Sequence, residues 1–166
     1  KFIFSTASVL TGASLHARAR QPRIRIGQIG LAHPHSLGKL NAIGSLPDSY
    51  DLVGVVEPDV SLRKRAKGVN FISLEQLMNT KGLDAVAIET RVKDLVPTAL
   101  PVVEAGKHIH LDKPAGPTLE PFKQLLASAE RGKVAVQMGY MLRYNPAFEF
   151  MFSAVKEGWF DEIMEI

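Results

Sequence analysis

The 166-residue sequence contains no cysteine, which excludes disulfide bonds and thiolate chemistry anywhere in the chain. Its charges nearly cancel, at a formal net charge of +3, so it lacks the basic footprint of a nucleic-acid-binding protein. It also lacks an internal repeat and a low-complexity tract. The chain has the length of one domain of ordinary size, with room for a full apolar core.

The first 19 residues have the pattern of an export leader. Residues 2–15 are apolar or small and follow Lys1, and Ala17-Arg18-Ala19 has the small-x-small form that signal peptidase accepts. The apolar run is too short to cross a membrane as a mature helix, so we expect no stable membrane insertion once the leader is removed. Lys-Phe-Ile-Phe-Ser is similar to the second half of a twin-arginine signal. The pattern predicts a periplasmic protein, whereas a non-functional leader, a disordered or core-packed tail, would leave it in the cytoplasm.

From Arg23 onward, short apolar runs alternate with helical patterns. The predicted strands are Ile24–Ile29, Leu52–Val56, Asn70–Ile72, Asp84–Glu89, His108–Leu111 and Val134–Met138. Helices are predicted over 36–43 and over 96–105, the second of which is capped by Gly106. Two others are a basic segment at 63–65 with a solvated face and a segment opened by a Ser73/Gln76 capping box. A further helix has a buried stripe of Phe122, Leu125, Leu126 and Ala129. Six strands joined by helices predict an α/β, doubly wound parallel sheet.

The segment from Gly106 to Gly116 runs an apolar strand directly into Asp112-Lys113-Pro114. Strand ends in open parallel sheets face the crevice where ligands bind, and Pro114 removes a backbone donor and makes the chain turn. Lys113 is therefore placed to touch a ligand. The alternative interpretation is a solvated turn lysine beside a carboxylate.

The order of these segments resembles the Gfo/Idh/MocA oxidoreductases, whose N-terminal Rossmann domain carries a Glu-Lys-Pro motif that Asp112-Lys113-Pro114 would match. Thr90, the Gly106-Lys107-His108 lead-in and the segment from Tyr140 to Pro146 match in the same order, over roughly residues 23–166. The resemblance implies a Rossmann domain over 20–140. Residues 141–166, with a helix at 148–155 and a strand from Phe160, would begin a C-terminal α/β domain that the chain otherwise lacks.

The resemblance also implies roles for individual residues. Lys113 would lie between nicotinamide and substrate as a catalytic residue, oriented by Asp112, and Pro114 would belong to the same cofactor contact. Thr90 would flank the nicotinamide half of the cofactor. Tyr140 and Arg143 would border the substrate cleft, with a half-buried ring and a surface salt bridge as the alternatives.

The predicted phosphate loop, Gly30-Leu31-Ala32-His33-Pro34-His35, keeps only the first glycine of Gly-x-Gly-x-x-Gly. Ala32 and His35 take the second and third positions, where glycine allows close approach to a pyrophosphate and tight helix packing. The N-terminus of the following helix would still favour a phosphate. We therefore expect dinucleotide binding, with His33 and His35 lining the loop, and keep a degenerate, non-binding loop as the alternative.

Glu57, at the end of the second strand, is expected to bind the adenosine ribose hydroxyls and to repel a 2′-phosphate, which favours NAD over NADP. Arg63, Lys64 or Arg65 could reverse that preference by folding back. The alternative for Glu57 is an exposed strand-end carboxylate.

Two His-x-His pairs, His33/His35 and His108/His110, raise the hypothesis of a metal site. A catalytic zinc needs three protein ligands in convergent geometry, whereas His108 already belongs to the family-like lead-in and His33 and His35 are expected to line the cofactor loop. The sequence therefore predicts no metal, with His110 packed in its strand.

Taken together, the resemblance implies an NAD(P)-dependent dehydrogenase of a carbohydrate-like sugar or polyol, homo-oligomeric when full length and without nucleic-acid partners. The general base would lie in the C-terminal domain, so we expect the chain alone to be inactive. One alternative is an NAD-dependent glycoside hydrolase of the same superfamily. Another is a non-catalytic Rossmann binding protein, favoured by Ala32, by His35 and by Leu95, which stands where the family commonly has a loop histidine.

Overall fold

The computed structural model describes residues 22–160, which form one five-stranded parallel sheet flanked by helices. The strands are β1 (Ile24–Ile29), β2 (Tyr50–Val56), β3 (Ala85–Ile88), β4 (His108–Leu111) and β5 (Val136–Met138). The helices are α1 (Ser36–Gly44), α2 (Val60–Arg63), α3 (Leu74–Met78), α4 (Leu95–Glu104), α5 (Leu119–Gly132) and α6 (Pro146–Lys156), with short 3-10 turns at Val92–Asp94 and Met141–Tyr144. This is the predicted α/β doubly wound fold.

The strand order is β2-β1-β3-β4-β5, and every neighbouring pair is parallel. The chain places β2 on one side of β1 and then crosses to lay β3 on the other side. In open parallel sheets, ligands bind outside the carboxyl ends of the strands where the winding direction reverses. Here that point lies between the ends of β1 and β3.

The main apolar core lies between the sheet and the α4/α5 pair. Side chains of β3 and β4 such as Val86, Ile88 and Leu111 are fully buried there, because both faces of a parallel sheet are covered. On α5, Leu125 is fully buried, whereas Leu126 is 42% exposed. The predicted buried stripe was therefore wrong at Leu126, which faces solvent at the edge of the apolar face.

The predicted third strand, Asn70–Ile72, is wrong, and with it the count of six strands. Only Phe71 forms a bridge, to Val55, through the bonds Val55 N to Asn70 O and Ile72 N to Val55 O. The segment has no room to extend, because the Ser73/Gln76 capping box starts α3 immediately afterwards. That capping box was predicted and is present.

The basic segment after β2 is not a simple solvated face. Arg63 donates from Nε to the Glu57 carbonyl at 2.6 Å and lies over the Phe71 ring, while Arg65 donates from Nη1 to the Leu31 carbonyl at 2.9 Å. The predicted solvated side chain is found at Lys64, which is exposed. Two arginines thus fold back onto the loops that follow β1 and β2.

The predicted helix at 148–155 is confirmed as α6, with Asn145 capping it and Pro146 in its first turn. The export leader at 1–19 and most of the strand predicted from Phe160 onward lie outside the described residues. Within residues 22–160, none of the helices combines the length and the apolar character that a membrane crossing requires.

Candidate active site

Buried polar side chains gather at the carboxyl edge of the sheet. Across residues 22–160, the buried polar residues all lie at or just after the ends of β1 to β4 or in the loop and first turn that follow β1: Gln28, His33, Ser36, Glu57, Glu89 and Asp112. Buried polar groups are costly unless they are satisfied, so such a concentration is typical of a functional site rather than of a stability device.

Gly30 makes the tight turn after β1. Its φ is +95°, and a Cβ at this position would lie 2.7 Å from the carbonyl oxygen of Glu89. Both the backbone conformation and the close approach require glycine. The first glycine of the loop is therefore fixed by the geometry of the β1 and β3 ends.

Glu57 is buried, at 4% exposure, so the alternative of an exposed strand-end carboxylate is wrong. Oε2 accepts from the Leu31 amide at 2.7 Å and Oε1 accepts from the Asp59 amide at 2.9 Å. The carboxylate thus holds the loop after β1 against the loop after β2. Each oxygen keeps a second lone pair with which it could accept from a ribose hydroxyl.

The loop leads into α1 with His35 as the N-cap residue, whose side chain makes no capping bond. Within residues 22–160, the amides of Leu37 and Gly38 in the first turn have no hydrogen-bond acceptor. Free amides at a helix N-terminus bind phosphate groups. Ala32 is only partly buried and does not need a positive φ. The loop therefore fits a dinucleotide phosphate despite its altered glycine pattern.

His33 connects this loop to the end of β4. Its Nε2 lies 3.1 Å from the Lys113 carbonyl oxygen, which can only accept, so Nε2 carries the hydrogen. Its Nδ1 lies 3.6 Å from Glu89 Oε2 and 3.7 Å from Asp112 Oδ2. The ring is nearly fully buried. The sequence predicted His33 in the cofactor loop but gave no sign of these partners.

Asp112 is 1% exposed. Its Oδ1 accepts from the Lys113 amide at 2.7 Å and lies 3.1 Å from His35 Nδ1. Burial opposes ionisation, but the bonds from the Lys113 amide and the His35 ring lower the pKa of Asp112 below its usual value. Asp112 therefore fixes the main chain of Lys113, whereas the resemblance implied only a general orienting role.

Glu89 is the one buried charged residue of this edge that sequence reasoning missed. It is 0% exposed, and neither carboxylate oxygen has a hydrogen-bond partner among the described residues. Burial, and then the negative charge of Asp112, raise the pKa of Glu89 to about 7. Nothing in the sequence distinguishes it from an ordinary polar residue that closes a strand.

Lys113 follows β4 at the same edge as the Gly30 turn and is partly buried. Its ammonium group has no hydrogen-bond or ion-pair partner within residues 22–160. The Lys113-Pro114 peptide bond is cis, and Pro114 is exposed. Thr90 follows β3, where the one contact of its hydroxyl with the described residues is a 3.4 Å bond to the Arg91 carbonyl.

Tyr140 and Arg143 lie after β5, at the same edge but on the surface. Tyr140 is 51% exposed and Arg143 is exposed in the turn Met141–Tyr144. Leu95 is fully buried in the main core instead of lining the site. Arg91 pairs with Asp94 at 3.2 Å on the loop after β3.

A groove of about 760 Å³ lies on the α1 side of the sheet, away from the Gly30 turn. It is lined at the amino ends of the strands by residues such as Ile24, Asp84 and His108, and reaches His110 and Gln137. Its walls are largely apolar, and neither Lys113 nor the phosphate loop contributes to it. The buried polar cluster, and not the volume of this groove, identifies the candidate site.

Comparisons with known proteins agree with this geometry. Residues 24–140 match the Gfo/Idh/MocA model, described as an oxidoreductase family with an NAD-binding Rossmann fold. An inositol 2-dehydrogenase of Corynebacterium glutamicum is 24% identical over 147 residues, covering 85% of this chain and 43% of the relative. An α-N-acetylgalactosaminidase of Shewanella oneidensis is 26% identical over 148 residues, covering 85% of this chain and 32% of the relative.

Among solved structures, the WlbA dehydrogenase of Bordetella pertussis, in complex with NADH and UDP-GlcNAcA, superposes with a TM-score of 0.75 at 23% identity. The match covers 86% of this chain and 44% of that one. The chain thus spans 32–44% of the length of these relatives, and within that span it carries their cofactor-domain fold. It belongs to the Gfo/Idh/MocA oxidoreductase family, with an NAD-binding Rossmann fold.

Proposed function

We propose that this chain is the cofactor-binding part of an NAD-dependent oxidoreductase that transfers a hydride from a sugar or polyol. One observation carries the proposal: the Gly30 turn and Lys113 lie at the same edge of the sheet, linked through His33. Had Lys113 been at the opposite edge, its ammonium group could not reach a substrate beside a cofactor held by the Gly30 turn.

The substrate class is proposed from the relatives together with the site. The relatives include an inositol 2-dehydrogenase and a dehydrogenase seen with NADH and a UDP-sugar. Both act on or bind molecules rich in hydroxyl groups. An unpartnered lysine at the same edge of the sheet as exposed Tyr140 and Arg143 offers donors for such hydroxyls.

Each residue of the site then has a defined task. When bound, NAD would accept the hydride that leaves the substrate carbon. The Lys113 ammonium would stabilise the negative charge that develops on the substrate oxygen as its proton leaves. Asp112 holds the Lys113 main chain in place. The resemblance assigns the proton to a base in a C-terminal domain, so we expect the 166-residue chain to bind NAD without turnover.

The preference between NAD and NADP depends on Glu57 and Arg65. Glu57 places negative charge next to the loop after β1, which disfavours a 2′-phosphate, whereas Arg65 is held over the same loop through the Leu31 carbonyl. We expect NAD to bind more tightly in calorimetric titration with both dinucleotides. Arg65→Gln should weaken only NADP, with Lys64→Gln as the matched control.

A second candidate function is NAD-dependent glycoside hydrolysis, in which the hydride is removed and then returned. It is favoured by the α-N-acetylgalactosaminidase relative, whose match covers as much of this chain as the dehydrogenase match does. Net NADH production from a sugar panel would support the dehydrogenase. Glycoside cleavage without net NADH would support the hydrolase.

The test of the proposed function starts with NAD binding to the purified protein. Stoichiometric binding that Gly30→Ala abolishes is expected, and the absence of binding would leave a non-catalytic Rossmann protein. In protein that turns over substrate, Lys113→Met should lower kcat by about 10²-fold or more, as for loss of one stabilising donor. Lys107→Met, a lysine before β4, serves as the control and should leave kcat unchanged.

We also propose export to the periplasm and self-association of the whole protein. Export is supported only by the pattern of residues 1–19. A reporter fused behind those residues should appear in the periplasm, and its retention in the cytoplasm would contradict this part of the proposal. Sedimentation of the whole protein measures self-association.

A further inference from the structure

We propose that His33, His35 and Asp112 form a binding site for a divalent transition-metal ion, with zinc as the best match. The three residues each present one ligand atom, and these atoms all lie within 4.8 Å of one another. The sequence predicts no metal here, because His33 and His35 are expected to line the cofactor loop and a catalytic zinc needs a third, convergent ligand. The fold supplies that ligand from the end of β4, 77 positions after His35.

The spacing of the ligand atoms suits a metal ion. Asp112 Oδ2 lies 3.2 Å from His35 Nδ1 and 3.7 Å from His33 Nδ1. The hydrogen that His35 Nδ1 shares with Asp112 moves to Nε2 of the same ring when Nδ1 binds the ion. Zinc bonds of about 2.0–2.1 Å in tetrahedral geometry separate neighbouring ligand atoms by roughly 3.3–3.4 Å. The observed distances lie on either side of that value.

The tautomer of His33 prepares it to bind a metal. Because Nε2 donates to the Lys113 carbonyl, Nδ1 of the neutral ring carries the lone pair. A ring nitrogen that donates to a carbonyl while the other faces the ion is the usual arrangement around bound metals. The His35 amide donates to Nδ1 of His33 at 3.3 Å, which marks the nitrogen as an acceptor, and a bound ion would replace that bond.

A second observation, at Glu89, favours a cation at this site. Glu89 is fully buried, both of its oxygens lack a hydrogen-bond partner among the described residues, and Oε2 lies 3.6 Å from His33 Nδ1. The Glu89 carboxylate thus faces the lone pair of His33 Nδ1 with no hydrogen-bond donor of its own among the described residues. An ionised carboxylate buried in this way is unfavourable, and a bound cation removes that cost.

The donor set defines the class of ion. Two imidazoles and a carboxylate suit zinc, cobalt, nickel or iron, whereas calcium and magnesium prefer oxygen ligands. Three protein ligands leave a coordination position open, and Glu89 adds a second negative charge beside it. The ion would tie the loop after β1 to the strand end that carries Lys113.

The test is calorimetric titration of the chelator-treated 166-residue chain with ZnCl₂, without NAD. We expect one zinc ion per chain, and at least about tenfold weaker binding for His35→Ala and for Asp112→Asn. His108→Asn and Glu104→Gln are the matched controls, because both residues are exposed and outside the cluster, and they should bind zinc as the unchanged chain does. Circular dichroism checks that each variant is folded.

A second measurement uses the unchanged chain and so does not depend on the folding of a variant. In ¹⁵N NMR spectra of the histidine rings, zinc should shift Nδ1 of His33 and His35 and leave His108 unaffected. The proposal is overturned if no stoichiometric zinc binds, if the control variants weaken binding as much as the cluster variants, or if the shifts appear at other histidines. Since no dinucleotide is present, these outcomes are independent of the proposed oxidoreductase activity.

Discussion

The core under α4 and α5 and the carboxyl edge of the sheet lie next to each other and are built in opposite ways. The core contains fully buried apolar side chains such as Ile88, Leu111 and Leu125. The edge contains buried histidine and carboxylate side chains, of which Glu89 has no hydrogen-bond partner among the described residues. The core stabilises the fold, whereas the edge holds buried charged groups whose burial costs free energy.

The largest effect that would test this contrast is expected in the core. Leu125→Ala removes a fully buried side chain from α5, and we expect it to lower the free energy of unfolding by about 2–5 kcal/mol through lost burial and the cavity left behind. Chemical denaturation measures the change. Leu126→Ala, one residue later on the same helix and 42% exposed, is the control and should cost about 1 kcal/mol or less. Equal losses would contradict the assignment of the core face.

The second-largest effect on stability is expected at Gly30, where the apolar core meets the carboxyl edge of the sheet. Gly30→Ala puts a Cβ 2.7 Å from the Glu89 carbonyl oxygen at a φ of +95°, which we expect to destabilise the chain by about 1–3 kcal/mol. Thermal unfolding measures it. At Gly44, in α1, an added Cβ has no neighbour within 4 Å, so Gly44→Ala should be neutral or stabilising by up to about 1 kcal/mol. A neutral Gly30→Ala would show that the turn can relax.

At Glu89, in contrast, we expect a substitution to increase the free energy of unfolding. Glu89→Gln removes a buried charge that has no hydrogen-bond partner in the described chain, so we expect chelator-treated protein to become more stable by about 1 kcal/mol. The midpoint of chemical denaturation at neutral pH is the readout, and Glu104→Gln, at an exposed position on α4, is the control. A loss of stability would mean that the carboxylate has a favourable partner, and would count against a strained polar edge.

The smallest effect on stability is expected from a single hydrogen bond at the carboxyl edge of the sheet. Arg65→Gln removes the 2.9 Å bond to the Leu31 carbonyl, and we expect a loss of about 0.5–1.5 kcal/mol, as for one hydrogen bond. Lys64→Gln, at the exposed neighbouring position, should change stability by less than about 0.5 kcal/mol. Indistinguishable melting curves for the two variants would show that the Arg65 contact contributes nothing to holding the loop.

The sequence predicted the fold well because the fold depends on local patterns. Apolar runs, the Ser73 capping box and the turn at Gly106 each act over a few residues, and each is present. The error at Asn70–Ile72 has a physical cause, since a strand needs a partner over several residues. Here only Phe71 finds one, opposite Val55.

The site was predicted in part. Gly30, Glu57 and Lys113 could be placed at one edge, because each closes a strand of a parallel sheet. The contacts of His33 and His35 with the end of β4 span 77 to 80 positions, and no local pattern indicates them. Burial of Glu89 likewise depends on what the neighbouring strands place over it, which composition and periodicity do not reveal.

The two bonds that hold Lys113 both involve its main chain. His33 binds the carbonyl group, and Asp112 binds the amide. Any residue except proline, which lacks the amide hydrogen, could make the same two bonds. Evolution could therefore exchange the side chain at this position while the framework around it stays unaltered, so that a single substitution would change what the strand end presents.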